Sequence, residues 1–183
     1  MSSTSTQTGT TTYAIDVAHS QIGFGVKHMM FSTVRGHFGT FEGTIVVDNA
    51  NPANSTVSVS IDATSITTGD TNRDTHLRSA DFFDVEKYPT LTFKSTSIDF
   101  KSADNFTING DLTMHGVTKP VSIKAEQTGE GTNPWGVDVA GFEGKTELNR
   151  EEYGLTYNAA LEKGGVLVGK EIKITLELEV AKQ

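Results

Sequence analysis

The sequence contains no cysteine. Disulfides, thiolate metal sites and cysteine nucleophiles are therefore excluded. Basic residues are outnumbered: 15 Lys and Arg stand against 23 Asp and Glu, for a formal net charge of −8. A chain this acidic offers no electrostatic footprint for a nucleic-acid backbone and no polybasic membrane anchor. No apolar run approaches the length of a transmembrane segment. The opening residues, MSSTSTQTGTTT, have neither the basic nor the apolar stretch of a secretory signal, so a cytoplasmic location is expected. Their composition cannot build a core. A disordered tail over 1–12 and a single domain over 13–183 are expected.

Catalytic motifs are missing as well. No serine sits in a G-x-S-x-G elbow, and no spaced pair of carboxylates stands out against an apolar cleft. In "GGVLVGKE", Gly164, Gly169 and Lys170 have the spacing of a phosphate-binding loop. Glu171 replaces the hydroxyl that would hold Mg²⁺, and a strand pattern follows where a helix is needed. A hairpin turn explains the stretch. His19, His28, His37, His76 and His115 do not fall at a metal-ligand spacing. No metal, no cofactor and no enzymatic activity are expected.

What the sequence does have is alternation. In "NFTINGDLTMHG", Phe106, Ile108, Leu112 and Met114 share one parity, with Gly110 among them, and polar residues take the other. "EIKITLELEV" sets Ile172, Ile174, Leu176, Leu178 and Val180 against Lys173, Thr175, Glu177 and Glu179. "TVSVSID" and "QIGFGVKH" behave alike, the latter with Ile22, Phe24, Val26 and His28 on one face. About eight strands emerge, near 13–31, 36–48, 55–63, 89–100, 104–115, 118–128, 134–149 and 169–181. One-faced alternation implies an antiparallel sheet with one buried face. Eight such strands close into a barrel or stack as a sandwich. Gly23, Gly25, Gly36, Gly39, Gly43, Gly141 and Gly144 fall in or beside strands, where glycine marks bulges and bends. Barrel closure needs such bends, which favours the barrel. In "HFGTFEGTIVV" the parity of Phe38 clashes with that of Phe41 and Ile45, and a bulge near Gly39 would repair it.

One segment breaks the pattern. "GDTNRDTHLRS" predicts a short helix near residues 71–84, capped by Asp70, Thr71 or Asn72, with Asp74 and Arg78 paired at i,i+4. Pro89 stops it. Leu77, Phe82 and Phe83 are too apolar to face water together. Either the segment covers part of the barrel with its aromatics inward, or it packs on the outside. Further on, Arg150 follows a long strand and precedes "EEYGL". Its planar guanidinium is expected to hold a carboxylate of the Asp70–Asp84 segment.

Five stretches carry a resemblance: "AHSQIGFGVKH" (Ala18–His28), "GHFGTFEGTI" (Gly36–Ile45), "NRDTHLRSADFFDVEKYPTLTF" (Asn72–Phe93), "GDLTMHGVTKPV" (Gly110–Val121) and "NREEYGL" (Asn149–Leu155). In this order they resemble the YceI-like family, the lipocalin-like polyisoprenoid-binding proteins, over nearly all of residues 13–181. The chain is expected to depart from many members in having no leader peptide, and it carries a Ser/Thr-rich N-terminal stretch. The resemblance implies an eight-stranded antiparallel lipocalin-like barrel with a helical segment against it. It also implies a long pocket for an isoprenoid chain, such as a polyprenyl quinone or polyprenyl lipid, and a homodimer. Strand parity then nominates the lumen residues: Phe24, Val26, His28, Phe41, Ile45, Phe83, Phe93, Leu112, Met114 and Phe142, with His28 near a polar end. The expected function is carriage, storage or sequestration of a long apolar small molecule. The rival readings are a lipid-modifying enzyme that uses the barrel as a reaction chamber, and a structural barrel filled by its own side chains.

Overall fold

Alternating sequence becomes strand along most of the chain. The computed structural model of the protein describes residues 9–183. Its strands are β1 (Thr10–Ile15), β2 (Gln21–His28), β3 (Ser32–Phe38), β4 (Phe41–Asp48), β5 (Thr56–Asp62), β6 (Ile66–Thr67), β7 (Thr90–Phe100), β8 (Asn105–Met114), β9 (Val117–Thr132), β10 (Asp138–Asn149) and β11 (Val168–Lys182). Among the described residues a single α-helix, α1 (Thr71–Arg78), is present, between β6 and β7. From β4 to β11 the main strands pair antiparallel in turn, and β1 joins both β11 and β4. The result is a closed eight-stranded antiparallel barrel built of β1, β4, β5, β7, β8, β9, β10 and β11. The strands β2, β3 and β6 extend this ring from the flank of β11.

The eight expected strands are recovered once two of them are seen to be broken, with a third break, at the end of 55–63, setting off the additional short strand β6. The segment 13–31 divides at Asp16–Ser20. There the Asp16 carboxylate accepts from the Ala18 amide (3.0 Å) and meets His19 Nδ1 (2.8 Å), which curls the chain into a 3₁₀ turn. Ser20 Oγ accepts from the Glu179 amide (2.9 Å), tying the break to β11. The segment 36–48 divides at Gly39 and Thr40, so Phe38 and Phe41 are both buried although their parities clash. This is a gap between two strands rather than a bulge. The third break, Ala63–Ser65, lies opposite it: the Gly39 amide donates to Ser65 O (3.1 Å) and the Asp62 amide to Thr40 O (2.9 Å). The breaks therefore form a fold line across three neighbouring strands.

Beyond that line β6 pairs with β3 but not with β7, which leaves a gap in the wall. The helical segment fills it. Asp70 caps α1 by accepting from the Arg73 amide (2.9 Å). The expected Asp74–Arg78 pair does not form. Asp74 is buried and accepts from the amide and hydroxyl of Thr68 (2.8 and 2.6 Å). Arg78 donates to the carbonyls of Thr64 (2.9 Å) and Ile66 (3.0 Å). Both side chains staple the helix to β6 and the residues flanking it, because buried backbone groups there need partners more than exposed charges need each other.

Two further expectations change. Residues 1–8 lie outside the described residues, but Thr10–Thr12 open β1 opposite Asp48, Val47 and Val46 rather than ending a disordered tail. Pairing along β4 supplies the hydrogen bonds that composition alone does not reveal, and β-branched threonines suit a strand. Among the in-strand glycines, Gly141 sits at a register shift, as expected. Gly36 instead makes room: a Cβ there would lie 2.5 Å from Phe24 Cζ and 2.7 Å from Thr67 O.

Candidate ligand-binding site

The inward parity of every long strand converges on one lumen. On β8 that face carries Phe106, Ile108, Gly110, Leu112 and Met114; on β11 it carries Ile172, Ile174, Leu176 and Leu178. The free space has two lobes, an inner one of about 210 Å³ and an outer one of about 660 Å³. Ile15, Val57, Ile108, Ile123, Leu176 and Leu178 line both, so the lobes are neighbours inside a single barrel and share part of its wall. Small-molecule sites commonly enclose about 300–1,000 Å³ and are mostly apolar.

The helical segment closes the inner lobe. Leu77, Phe82 and Phe83 all face into it, which decides between the two placements open at the sequence level. Phe83 meets Phe38 edge-on at 6.0 Å between centroids, and Phe38 in turn packs on Phe24 at 5.9 Å. The outer lobe has a different rim. Asn51, Ser55, Ser102, Gln127 and Glu143 mix with Phe100, Phe106 and Phe142 there. The register shift between Gly141 and Phe142 sets Phe142 edge-on to Phe106, at 6.1 Å.

Of the nominated residues, Phe24, Val26, Phe83, Phe93, Leu112 and Met114 line the inner lobe, and Ile45 and Phe142 the outer one. Two do not line either lobe. Phe41 is buried, but its ring belongs to the packed core at the break between β3 and β4. His28 ends β2, pairs with Ser32 and Val168, and stands half-buried beyond the free volume. Its cross-strand partner Val168 does line the inner lobe, so His28 stands at the edge of the free volume rather than in its wall.

Arg150 is the residue that parity could have found and did not. It continues the inward series Phe142, Gly144, Thr146, Leu148 on β10, one step past the strand end. It is 3% exposed and lines the inner lobe. The expected carboxylate of the Asp70–Asp84 segment is not its partner. Nε donates to Gly169 O (2.8 Å), Nη1 to Leu155 O (2.5 Å) and Nη2 to Val168 O (3.3 Å). These bonds pin the irregular 154–167 segment to the start of β11. Burial pushes the guanidinium below its ordinary pKa, and Glu151 opposes the shift. Glu151 itself pairs with Lys170 at 3.3 Å, which also accounts for the lysine of the apparent phosphate loop.

Among the described residues, the polar side chains of the inner lobe are those of Thr146 and Arg150, and no carboxylate or imidazole lines it. The inner lobe has the shape and lining to hold an extended apolar chain. Residues 13–180 match the sequence model of the YceI-like domain. A UPF0312 protein of Vibrio cholerae serotype O1 is 45% identical over 145 residues, which cover 78% of this chain and 77% of that one. BcnA of Burkholderia cenocepacia has the same fold, with a TM-score of 0.77 at 24% identity over 90% of this chain and 98% of that one. A polyisoprenoid binding domain from Saccharophagus degradans, implicated in plant cell wall breakdown, shares the fold at a TM-score of 0.65 and 14% identity, over 93% and 98% of the two chains.

Proposed function

The chain belongs to the YceI-like domain family, and on that premise we propose that it binds a long isoprenoid chain, as of a polyprenyl quinone or polyprenyl lipid, in its barrel lumen for carriage, storage or sequestration. One observation carries the reading: two lobes of free space that share lining residues lie along the barrel, and the inner one is walled almost wholly by aliphatic and aromatic side chains. A polyisoprenoid binding domain of the same fold lends support. Burying about 10 methylene equivalents at ~0.8 kcal/mol each contributes roughly 8 kcal/mol gross, and association entropy opposes part of it. The lack of an acid–base pair in the inner lobe favours binding over lipid-modifying chemistry. The free volume favours binding over a barrel filled by its own side chains. Mass spectrometry of an organic extract of the purified protein tests the reading. A prenyl chain, recovered in near-stoichiometric amount or taken up on addition, is the expected result. A protein that yields none and takes up none refutes it.

A further inference from the structure

We infer that the ligand is oriented, with an anionic oxygen head lodged at the inner end of the lumen beside Arg150 and its apolar chain running out toward the Asn51–Ser102 rim. The inference rests on the apolar-ligand reading above and adds a polarity and a specificity determinant to it.

A guanidinium has five N–H donors. Arg150 directs three to backbone carbonyls, one from each nitrogen, and two remain. Those carbonyls are neutral, and no carboxylate lies within ion-pair distance of Arg150 among the described residues. Glu151, its chain neighbour, is turned to Lys170. A buried cation without an opposite charge is unfavourable, and proteins ordinarily pair it. Here the side chain borders the inner lobe, where an oxygen anion would supply both the missing charge and acceptors for the spare donors. Thr146, the other polar side chain of that lobe, already spends its hydroxyl proton on Ser122 O (2.8 Å), so it offers no competing donor. The three carbonyl bonds also hold the guanidinium in place before any ligand arrives. Little ordering is then left to be lost on binding. The aliphatic walls on every other side suit a chain and not a second charge.

Two measurements test this on the full-length protein, stripped of lipid. First, affinities are compared for geranylgeranoic acid and geranylgeraniol, which share a chain and differ at the head. The acid should bind the wild type about tenfold to a hundredfold more tightly, the range of one charge-assisted hydrogen bond. Arg150→Met should bring the acid-to-alcohol ratio near one, and Arg150→Lys should restore part of it. A merely structural role for Arg150 would weaken both ligands together and leave the ratio intact. Second, stearate carrying a nitroxide near its carboxyl should broaden the amide signals of Tyr153, Gly154 and Gly169. Stearate labelled near its methyl end should broaden those of Ala53 and Ser102. This second measurement needs no variant, so it decides the matter even where Arg150→Met does not fold. Equal affinity of the wild type for acid and alcohol, or the reversed broadening pattern, overturns the inference while leaving the apolar-ligand reading standing. Failure of both prenyl compounds and of stearate to bind overturns the two together.

Discussion

Leu112 and Thr113 are one residue apart on β8 and face opposite ways. Leu112 is 9% exposed and lines the inner lobe. Thr113 lies on the outer face, its hydroxyl 2.7 Å from that of Thr118 on β9. Replacing each with Trp puts the same ring inside the lumen or outside it. An indole at 112 projects into a lobe of about 210 Å³ and takes space the chain needs. Excluding about four methylene equivalents, at ~0.8 kcal/mol each, weakens binding by about 3 kcal/mol, more than a hundredfold. Overpacking costs about 1–3 kcal/mol, and the low end applies because the ring enters free volume. At about 2–4 °C per kcal/mol for a chain of this size, the melting temperature falls by a few degrees only. Leu112→Trp should therefore fold and fail to bind. Thr113→Trp loses one exposed hydroxyl contact, worth about 1 kcal/mol or less, and keeps its affinity. Displacement of a fluorescent apolar probe by a polyprenyl alcohol reads both. Equal loss of uptake in the two variants, at matched melting temperatures, would show that the inward face of β8 does not bind the ligand.

Three further outcomes follow from other parts of the barrel. Gly110→Ala places a Cβ about 2.5 Å from both Lys94 O and Phe93 Cζ, one of them backbone, so a loss of about 1–3 kcal/mol is expected in urea titrations; an unchanged midpoint refutes it. Burial opposes ionisation of Asp74, yet the hydrogen bonds from Thr68, with Thr67 and the charge of Arg78, leave its pKa lowered. A lowered folded pKa contributes stability that is present above the unfolded value of about 3.9 and lost as pH falls through the folded one. Asp74→Asn should thus destabilise by about 1–3 kcal/mol at neutral pH, with the gap to wild type closing in acid; a pH-independent gap contradicts the assignment. His19 is raised, first by its hydrogen bond to Asp16 and then by the charges of Asp16 and Glu179. Its contribution is complete below the unfolded value of about 6.5 and disappears as pH rises through the folded one. A ring titration followed by NMR should show a midpoint above 6.5 that falls back in Asp16→Asn, and a midpoint at or below 6.5 in the wild type rules the pair out.

The alternation was legible wherever one face of a strand meets the lumen and the other meets water. On β8 and β11 the sequence pattern and the inward residues coincide position by position. The breaks after Ile15 and Asp62 were not legible, because each is made by a local hydrogen bond rather than by a hydrophobic pattern, whereas the one at Gly39 did show, as the parity clash between Phe38 and Phe41. Asp16 and Asp62 each accept from an amide two residues on, a competition with the strand ladder that a run of alternating residues does not display. Parity also failed at its ends. His28 keeps the inward parity of Phe24 and Val26, yet it does not line the lumen. Arg150 keeps the inward parity of Leu148 and does line it. Where a barrel stops depends on how its strands are staggered, which only the pairing register reveals.

An eight-stranded barrel has an interior just wide enough for its side chains to fill, or to hold one small ligand. Which of the two occurs here can be read from exposure. Val121 and Ile123 on β9, and Ile172, Ile174, Leu176 and Leu178 on β11, all point inward, yet all are half-buried rather than buried. In a filled barrel these central positions would be the least accessible of all. By contrast Ile61, Ile66 and Leu91, near the fold line and the helical segment, are buried. The close packing is thus concentrated where three strands break and α1 fills the wall, while the unbroken strands β9 and β11 border free space. The helical segment serves as a stopper: it seals a gap that the broken strands leave, with Leu77, Phe82 and Phe83 forming the inner end of the apolar slot. Apolar side chains that face free space rather than one another forgo dispersion contacts and burial, so on the proposed reading a bound apolar chain adds stability to the folded protein.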